Sequence, residues 1–231
     1  METRLNLKIV DPYNIQLGNH FHDLIKRYHF IAQALNIDKE EKNDKSLPNW
    51  GYIEAVQLKY YGLVEALWNS NLIKPNMKVV DVGCGYGTTL FNVAMQFNHY
   101  HKHSGSKLFN NTYTGIEKDP DYIDRFQYLK SLWKDNDMML TIKNADIIEE
   151  QYGDYDLILS YCPYRDVKMA NALYKKIFGE MKSGSILIEH FNDGKGHNEI
   201  LINSYKELSN NTLQVATLLF GGKKSAVYIK L

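Results

Sequence analysis

The chain has little of several things. Only two of its 231 residues are cysteine, Cys84 and Cys162, and neither has a partner at metal-ligand spacing, so a disulfide framework and a cysteine-based metal site are both excluded. Free thiols in a reducing compartment are expected. Neither charge sign is in excess, with 27 Lys+Arg against 27 Asp+Glu, so no global field draws in nucleic acid or an anionic membrane. A polynucleotide substrate is therefore not favoured. The start, Met1-Glu2-Thr3-Arg4-Leu5-Asn6, has no apolar stretch of the signal-peptide kind, and no apolar run approaches the ~20 residues of a membrane span. The expectation is a soluble, cytoplasmic protein without a membrane partner. Histidines at 20, 22 and 29 lack a Cys or carboxylate array to complete a site, and no metal is expected.

What is present is enough for a core: 44% of residues are hydrophobic, and 17 are tyrosine. Residues 1–50 read as a helical cap and linker. Phe21, Leu24, Ile25, Tyr28 and Ile31 recur at helical spacing before a charged, loop-like run, Asp38 to Asp44, that ends before Pro48. Residues 51–231 read as the main domain. It opens with a helix whose stripe is Ile53, Val56, Tyr60, Leu63, Val64 and Leu67, and from Lys78 it alternates strand with helix, the pattern of a parallel sheet covered on both faces.

The centre of that domain is Val79-Val80-Asp81-Val82-Gly83-Cys84-Gly85-Tyr86-Gly87-Thr88. A β-branched run ends in an acid and three alternate glycines, then passes into helical spacing: strand, tight loop, helix. Glycine is needed where a turn demands positive φ, or where the backbone comes so close to a ligand that a Cβ would collide with it. A dinucleotide fingerprint would place its last small residue at Thr88, whereas Gly87 falls one position early. Asp81 would also repel a pyrophosphate and attract an ammonium group. These departures weigh against a nicotinamide-dependent oxidoreductase.

D-x-G-x-G-x-G at the end of a first strand resembles motif I of the class I S-adenosylmethionine (SAM) methyltransferases. The resemblance covers about residues 52–231. It implies a Rossmann-like, doubly wound, mostly parallel seven-stranded sheet of order 3-2-1-4-5-7-6 with the last strand antiparallel, and SAM as cofactor with S-adenosylhomocysteine (SAH) as product. The motif I loop supplies Asp81, Gly83, Cys84, Gly85 and Gly87. Tyr113–Glu117 reads as the second strand, and Glu117 at its carboxyl end, with Lys118 beside it, is placed to accept the ribose hydroxyls. Asp119 and Pro120 open the next helix, 122–133. After a third strand, Met138–Ile142, the resemblance puts Asp146 on the adenine amino group and Ile147 on a ring nitrogen. Tyr155–Ser160 is the fourth strand, and Ser160 completes the cofactor set.

The methyl-accepting atom belongs beside Tyr161-Cys162-Pro163-Tyr164. That stretch resembles the (Asn/Asp/Ser)-Pro-Pro-(Tyr/Phe) motif of amino-group methyltransferases but departs from it at the first two positions, since Tyr161 has no side-chain carbonyl to aim at an amine. Tyr161 and Tyr164 can hold the acceptor or face the sulfonium with their rings. His190, at the end of the fifth strand Ser185–Glu189, is the candidate general base toward a hydroxyl acceptor. Tyr13, Tyr28 and Trp50 of the cap are candidates to close over the site. Residues 99–111 read as a long surface loop, 198–208 as a helix, and 213–231 as a hairpin about Gly221-Gly222-Lys223-Lys224. The expected function is methyl transfer to a small molecule or protein. The alternatives are a non-catalytic SAM-binding subunit and an amino-group methyltransferase.

Overall fold

Val79, Val80 and Val82 form a strand buried on both faces, and a strand of that kind belongs in the middle of a sheet covered on both sides. The computed structural model describes residues 64, 67–68, 70–103, 110–132, 139–161, 163–164, 166–190, 212–220 and 223–231. In chain order they give β1 (Lys78–Val82), α1 (Thr88–His103), β2 (Thr112–Glu117), α2 (Pro120–Leu132), β3 (Met139–Asn144), β4 (Leu157–Tyr161), α3 (Val167–Glu180), β5 (Ile186–His190), β6 (Thr212–Phe220) and β7 (Lys223–Lys230).

The sheet has seven strands in the order β3-β2-β1-β4-β5-β7-β6. Pairing is parallel from β3 through β5, and β7 runs antiparallel to both of its neighbours. This is the order and polarity that the resemblance implied. Because β1 lies between β2 and β4, the chain turns outward in opposite directions after β1 and before β4. The crevice at that switch point is where an open α/β sheet receives its ligand.

Alternation along the strands divides the core into two layers. Val79 joins Leu90, Phe91 and Phe97 of α1 and Phe126 and Leu129 of α2 on one face. Val80 and Val82 join Leu173, Tyr174, Ile177 and Phe178 of α3 on the other. The upstream helix read at 52–68 is described only at Val64, Leu67 and Trp68; all three are helical, and Val64 and Leu67 are buried in the first layer. α3 starts at Asp166, whose side chain accepts the Met169 N–H at 2.8 Å, a cap worth about 1 kcal/mol.

Two elements differ from expectation. α1 does not stop near Phe97 but runs to His103, because the polar-looking end of the helix is used internally. The His101 ring is buried edge-on to Trp68 at 5.4 Å and lies 3.2 Å from Asn111 Nδ2, while Tyr100 stacks on Trp68 at 5.3 Å. The hairpin is also tighter than read: Phe220 pairs with Lys223, so Lys223 and Lys224 are strand residues. The cap at 1–50, with Tyr13, Tyr28, Trp50 and the three histidines, and the helix read at 198–208 lie outside the described residues.

Candidate cofactor and acceptor site

The three glycines of the β1–α1 loop all have positive φ, at +67, +52 and +83° for Gly83, Gly85 and Gly87. They serve different ends. A Cβ on Gly83 would come within 2.9 Å of Pro163, and one on Gly87 within 2.4 Å of the Phe126 ring, so these two glycines admit other parts of the protein. A Cβ on Gly85 would meet nothing within 4 Å. Among the described residues, Gly85 is thus the one glycine of the three whose Cβ position stays open. Cys84 turns inward: its N–H donates to the Ile116 carbonyl at 3.0 Å, and its sulfur packs where a Cβ of Gly115 would be. Burial, then the charges of Asp81 and Glu117, push the Cys84 thiol far up, which leaves it an inert packing group.

Asp81 is buried at the end of β1, with only 2% of its surface exposed. It accepts a backbone N–H from Leu90 in the first turn of α1, yet among the described residues its Oδ2 has no hydrogen-bond partner. Burial, and after it the charge of Glu117, raise the carboxyl from 3.8 to about 7. A buried acceptor left unmade costs free energy that an incoming donor recovers, and a cation recovers most because it also offsets the neighbouring charge. Glu117 is held by three backbone donors: Lys118 N–H at 2.9 Å and Asp119 N–H at 3.0 Å on Oε1, and Gly85 N–H at 2.9 Å on Oε2. Its carboxylate is thereby fixed at the backbone N–H of Gly85.

Asp146 lies in the turn after β3. Its Oδ1 accepts the Ile148 N–H at 3.2 Å and the Tyr164 hydroxyl at 2.8 Å, while Lys118 reaches Oδ2 at 3.3 Å. These bonds, the backbone one first, hold its carboxyl below the usual carboxylate range. Ile147 is buried beside Gly83, and its carbonyl accepts the Tyr152 hydroxyl at 2.6 Å. The loops that carry Asp81, Glu117, Lys118, Asp146 and Ile147 are thus joined around Gly85. Ser160 is not brought to this group by its side chain: the hydroxyl is fully buried and lies 2.8 Å from the Tyr174 hydroxyl of α3.

Of the residues expected to face the acceptor, Tyr161 and His190 are register partners at the ends of β4 and β5. Tyr164 is drawn the other way, onto Asp146, with its hydroxyl committed there. Sequence reasoning missed that bond, because nothing local to Tyr164 signals a partner in a different loop. It also missed Glu189, which is buried with an unpartnered Oε2 and hydrogen-bonded to Tyr174. A lone acid after Ile186-Leu187-Ile188 was a signal available for it. Among the described residues no cluster of His, Cys, Asp or Glu is arranged to hold a metal, and no helix is long and apolar enough to cross a membrane.

A family model described as "Methyltransferase domain" matches residues 73–227. No curated protein matches the sequence. Among solved structures, the chain resembles magnesium protoporphyrin IX methyltransferase from Synechocystis PCC 6803, solved with bound SAM, with a TM-score of 0.60 and 14% identity over 90% of this chain and 96% of that one. Ribosomal protein L11 methylase from Lactobacillus delbrueckii subsp. bulgaricus aligns with a TM-score of 0.52 and 14% identity over 75% and 79% of the two chains. Precorrin-6y C5,15-methyltransferase from Geobacter metallireducens gives 0.51 and 8% identity over 74% and 87%. With the family model spanning more than half of its length and its strand order shared with that fold, the chain belongs to the methyltransferase-domain family, of the class I S-adenosylmethionine-dependent type.

Proposed function

We propose that this protein binds SAM in the crevice around Gly85 and transfers its methyl group to a small molecule or protein held between the ends of β4 and β5. The observation that carries the reading is the buried Asp81 Oδ2, without a partner among the described residues, near enough to Glu117 to feel its charge, while Glu117 in turn holds the Gly85 N–H. That arrangement suits a ligand with an ammonium group and hydroxyls, and is hostile to a phosphate. Asp81 would take the ammonium, Glu117 the ribose hydroxyls, and Asp146 with Ile147 the adenine edge. When bound, the cofactor supplies a methyl group already activated by a positively charged sulfur.

The work left for the protein is to orient the acceptor and exclude water. We assign the acceptor wall to Tyr161 and the uptake of a proton from a hydroxyl acceptor to His190, its neighbour across the β4–β5 ladder. The fold is compatible with either acceptor class: the solved proteins named above act, by their descriptions, on a magnesium porphyrin, on ribosomal protein L11 and on a precorrin. The balanced charge gives no support to a polyanionic acceptor.

Calorimetry tests the cofactor. SAH should bind in the micromolar range, about −8 kcal/mol at 1 μM, and tight NADH binding without SAH binding would refute the reading. Incubation of the protein and a cell extract with SAM labelled in its methyl group tests the rest. Label in the small-molecule or protein fraction supports the assignment, whereas label only in nuclease-sensitive material overturns the acceptor class. No label from protein that binds SAH would make the chain a non-catalytic subunit.

A further inference from the structure

A carboxylate offers about four lone-pair positions to donors, and at Asp146 three are filled by the protein itself. The Ile148 N–H and the Tyr164 hydroxyl occupy Oδ1, and the Lys118 ammonium takes one position on Oδ2. One position on Oδ2 is left. The three donors come from three different loops, and they are not equally firm. Lys118 is 64% exposed along its side chain, and an exposed ammonium is a loose and solvent-screened partner.

Tyr164 is different. Its bond is the shortest of the three, its ring packs against the layer that contains Ile147 and Tyr152, and its loop is pinned on both sides. Pro163 seats against Gly83 where only a glycine leaves room, and Asp166 caps α3. The tyrosine hydroxyl is therefore the donor best able to fix the plane of the Asp146 carboxylate. Its ring is part of the β4–α3 loop, the segment that sequence reasoning gave to the acceptor.

We propose that Tyr164 is a positioning residue of the cofactor site: by holding Asp146 Oδ1 it presents a single free position on Oδ2 to one N–H donor, the exocyclic amino group of a purine nucleoside. This rests on the reading of Asp146 given under the proposed function. Specificity for an amino-purine is then set by a residue that touches the carboxylate and not the cofactor. No reaction step is asked of the Tyr164 hydroxyl.

The test is calorimetry on the intact protein and Tyr164→Phe with two probes, SAH and its analogue carrying hydrogen in place of the 6-amino group. Loss of the hydroxyl should weaken SAH about 3–10-fold, the coupling expected between directly connected groups, and leave the analogue within about twofold. Equal weakening of both probes would make Tyr164 merely structural, and no change in either would remove it from the site; both outcomes overturn the proposal. Should Tyr164→Phe melt below the assay temperature, both titrations are repeated on the parent and the variant at a temperature below that melt, and the same pattern must appear. Failure of the unaltered protein to bind SAH would instead overturn the cofactor reading.

Discussion

Replacing Asp81 by Asn separates the cost of the site from its use. Asp81 is fully enclosed, and its carboxyl is raised from 3.8 to about 7, chiefly by burial and secondarily by Glu117. That rise corresponds to about 4 kcal/mol. Because the folded value lies above the unfolded one, the acid's contribution to stability is complete below about pH 3.8 and is lost as pH rises through about 7. Asn has no such loss. It can still accept the Leu90 N–H, but its amide nitrogen would be a buried donor in place of Oδ2, at a fixed cost of about 1–3 kcal/mol. That fixed term does not vary with pH. Between about pH 5 and pH 8 the stability of Asp81→Asn should therefore gain about 3 kcal/mol on the parent. For a chain of this size that is about 6–12 °C in the difference of melting temperatures, read by calorimetric melts without ligand. SAH binding at pH 8 should weaken by about 10–100-fold, through loss of one charge-assisted contact. A melting-temperature difference equal at both pH values would refute the assignment of a raised, uncompensated acid, and retained SAH affinity would refute its role toward a cation.

The glycines give a second contrast. Gly87→Ala, strained at φ +83° and driven into Phe126, should lose about 2–4 kcal/mol of stability in denaturant melts. Gly85→Ala should cost only about 1 kcal/mol yet weaken SAH more than tenfold in calorimetry; unchanged affinity would move the cradle elsewhere. Burial pushes the Glu189 carboxyl well up, so its contribution to stability is also lost as pH rises. Glu189→Gln should accordingly melt higher than the parent at about pH 9, with the difference shrinking toward acid pH; a difference that grows on acidification would count against it.

Much of the fold was legible because its signals are local. A β-branched run, an acid, alternate glycines and helical spacing lie within one short stretch of chain, and the strand–helix alternation repeats the message downstream. The site was legible only where the same locality held. Asp81 and Glu117 each end a strand and could be placed from the sequence, whereas the separate duties of Gly83, Gly85 and Gly87 depend on Pro163 and Phe126, which reach the loop through the fold. The extension of α1 to His103 was hidden for a related reason: His101 and Tyr100 read as polar surface, but Trp68 and Asn111 supply partners that composition cannot anticipate. Tyr164 was read as an acceptor residue from its own loop, which gives no sign that its hydroxyl bonds Asp146 in another.

Asp81 and Glu117 end neighbouring strands, and packing alone gives no reason for their closeness, since the charge of Glu117 adds to the cost of ionising Asp81. The nearest lysine in sequence does not relieve it. Lys118 reaches Asp146 instead, and among the described residues no ion pair neutralises either acid. Burial of Asp81 thus costs about 4 kcal/mol above pH 7. A ligand at a hundred times its dissociation constant stabilises a fold by about 2.7 kcal/mol, a quantity of the same order. Cofactor concentration and pH should therefore trade against each other in setting the melting temperature. A neutral pocket would show the first dependence without the second, so the two measurements together decide whether the paired carboxylates receive a cation, as proposed above.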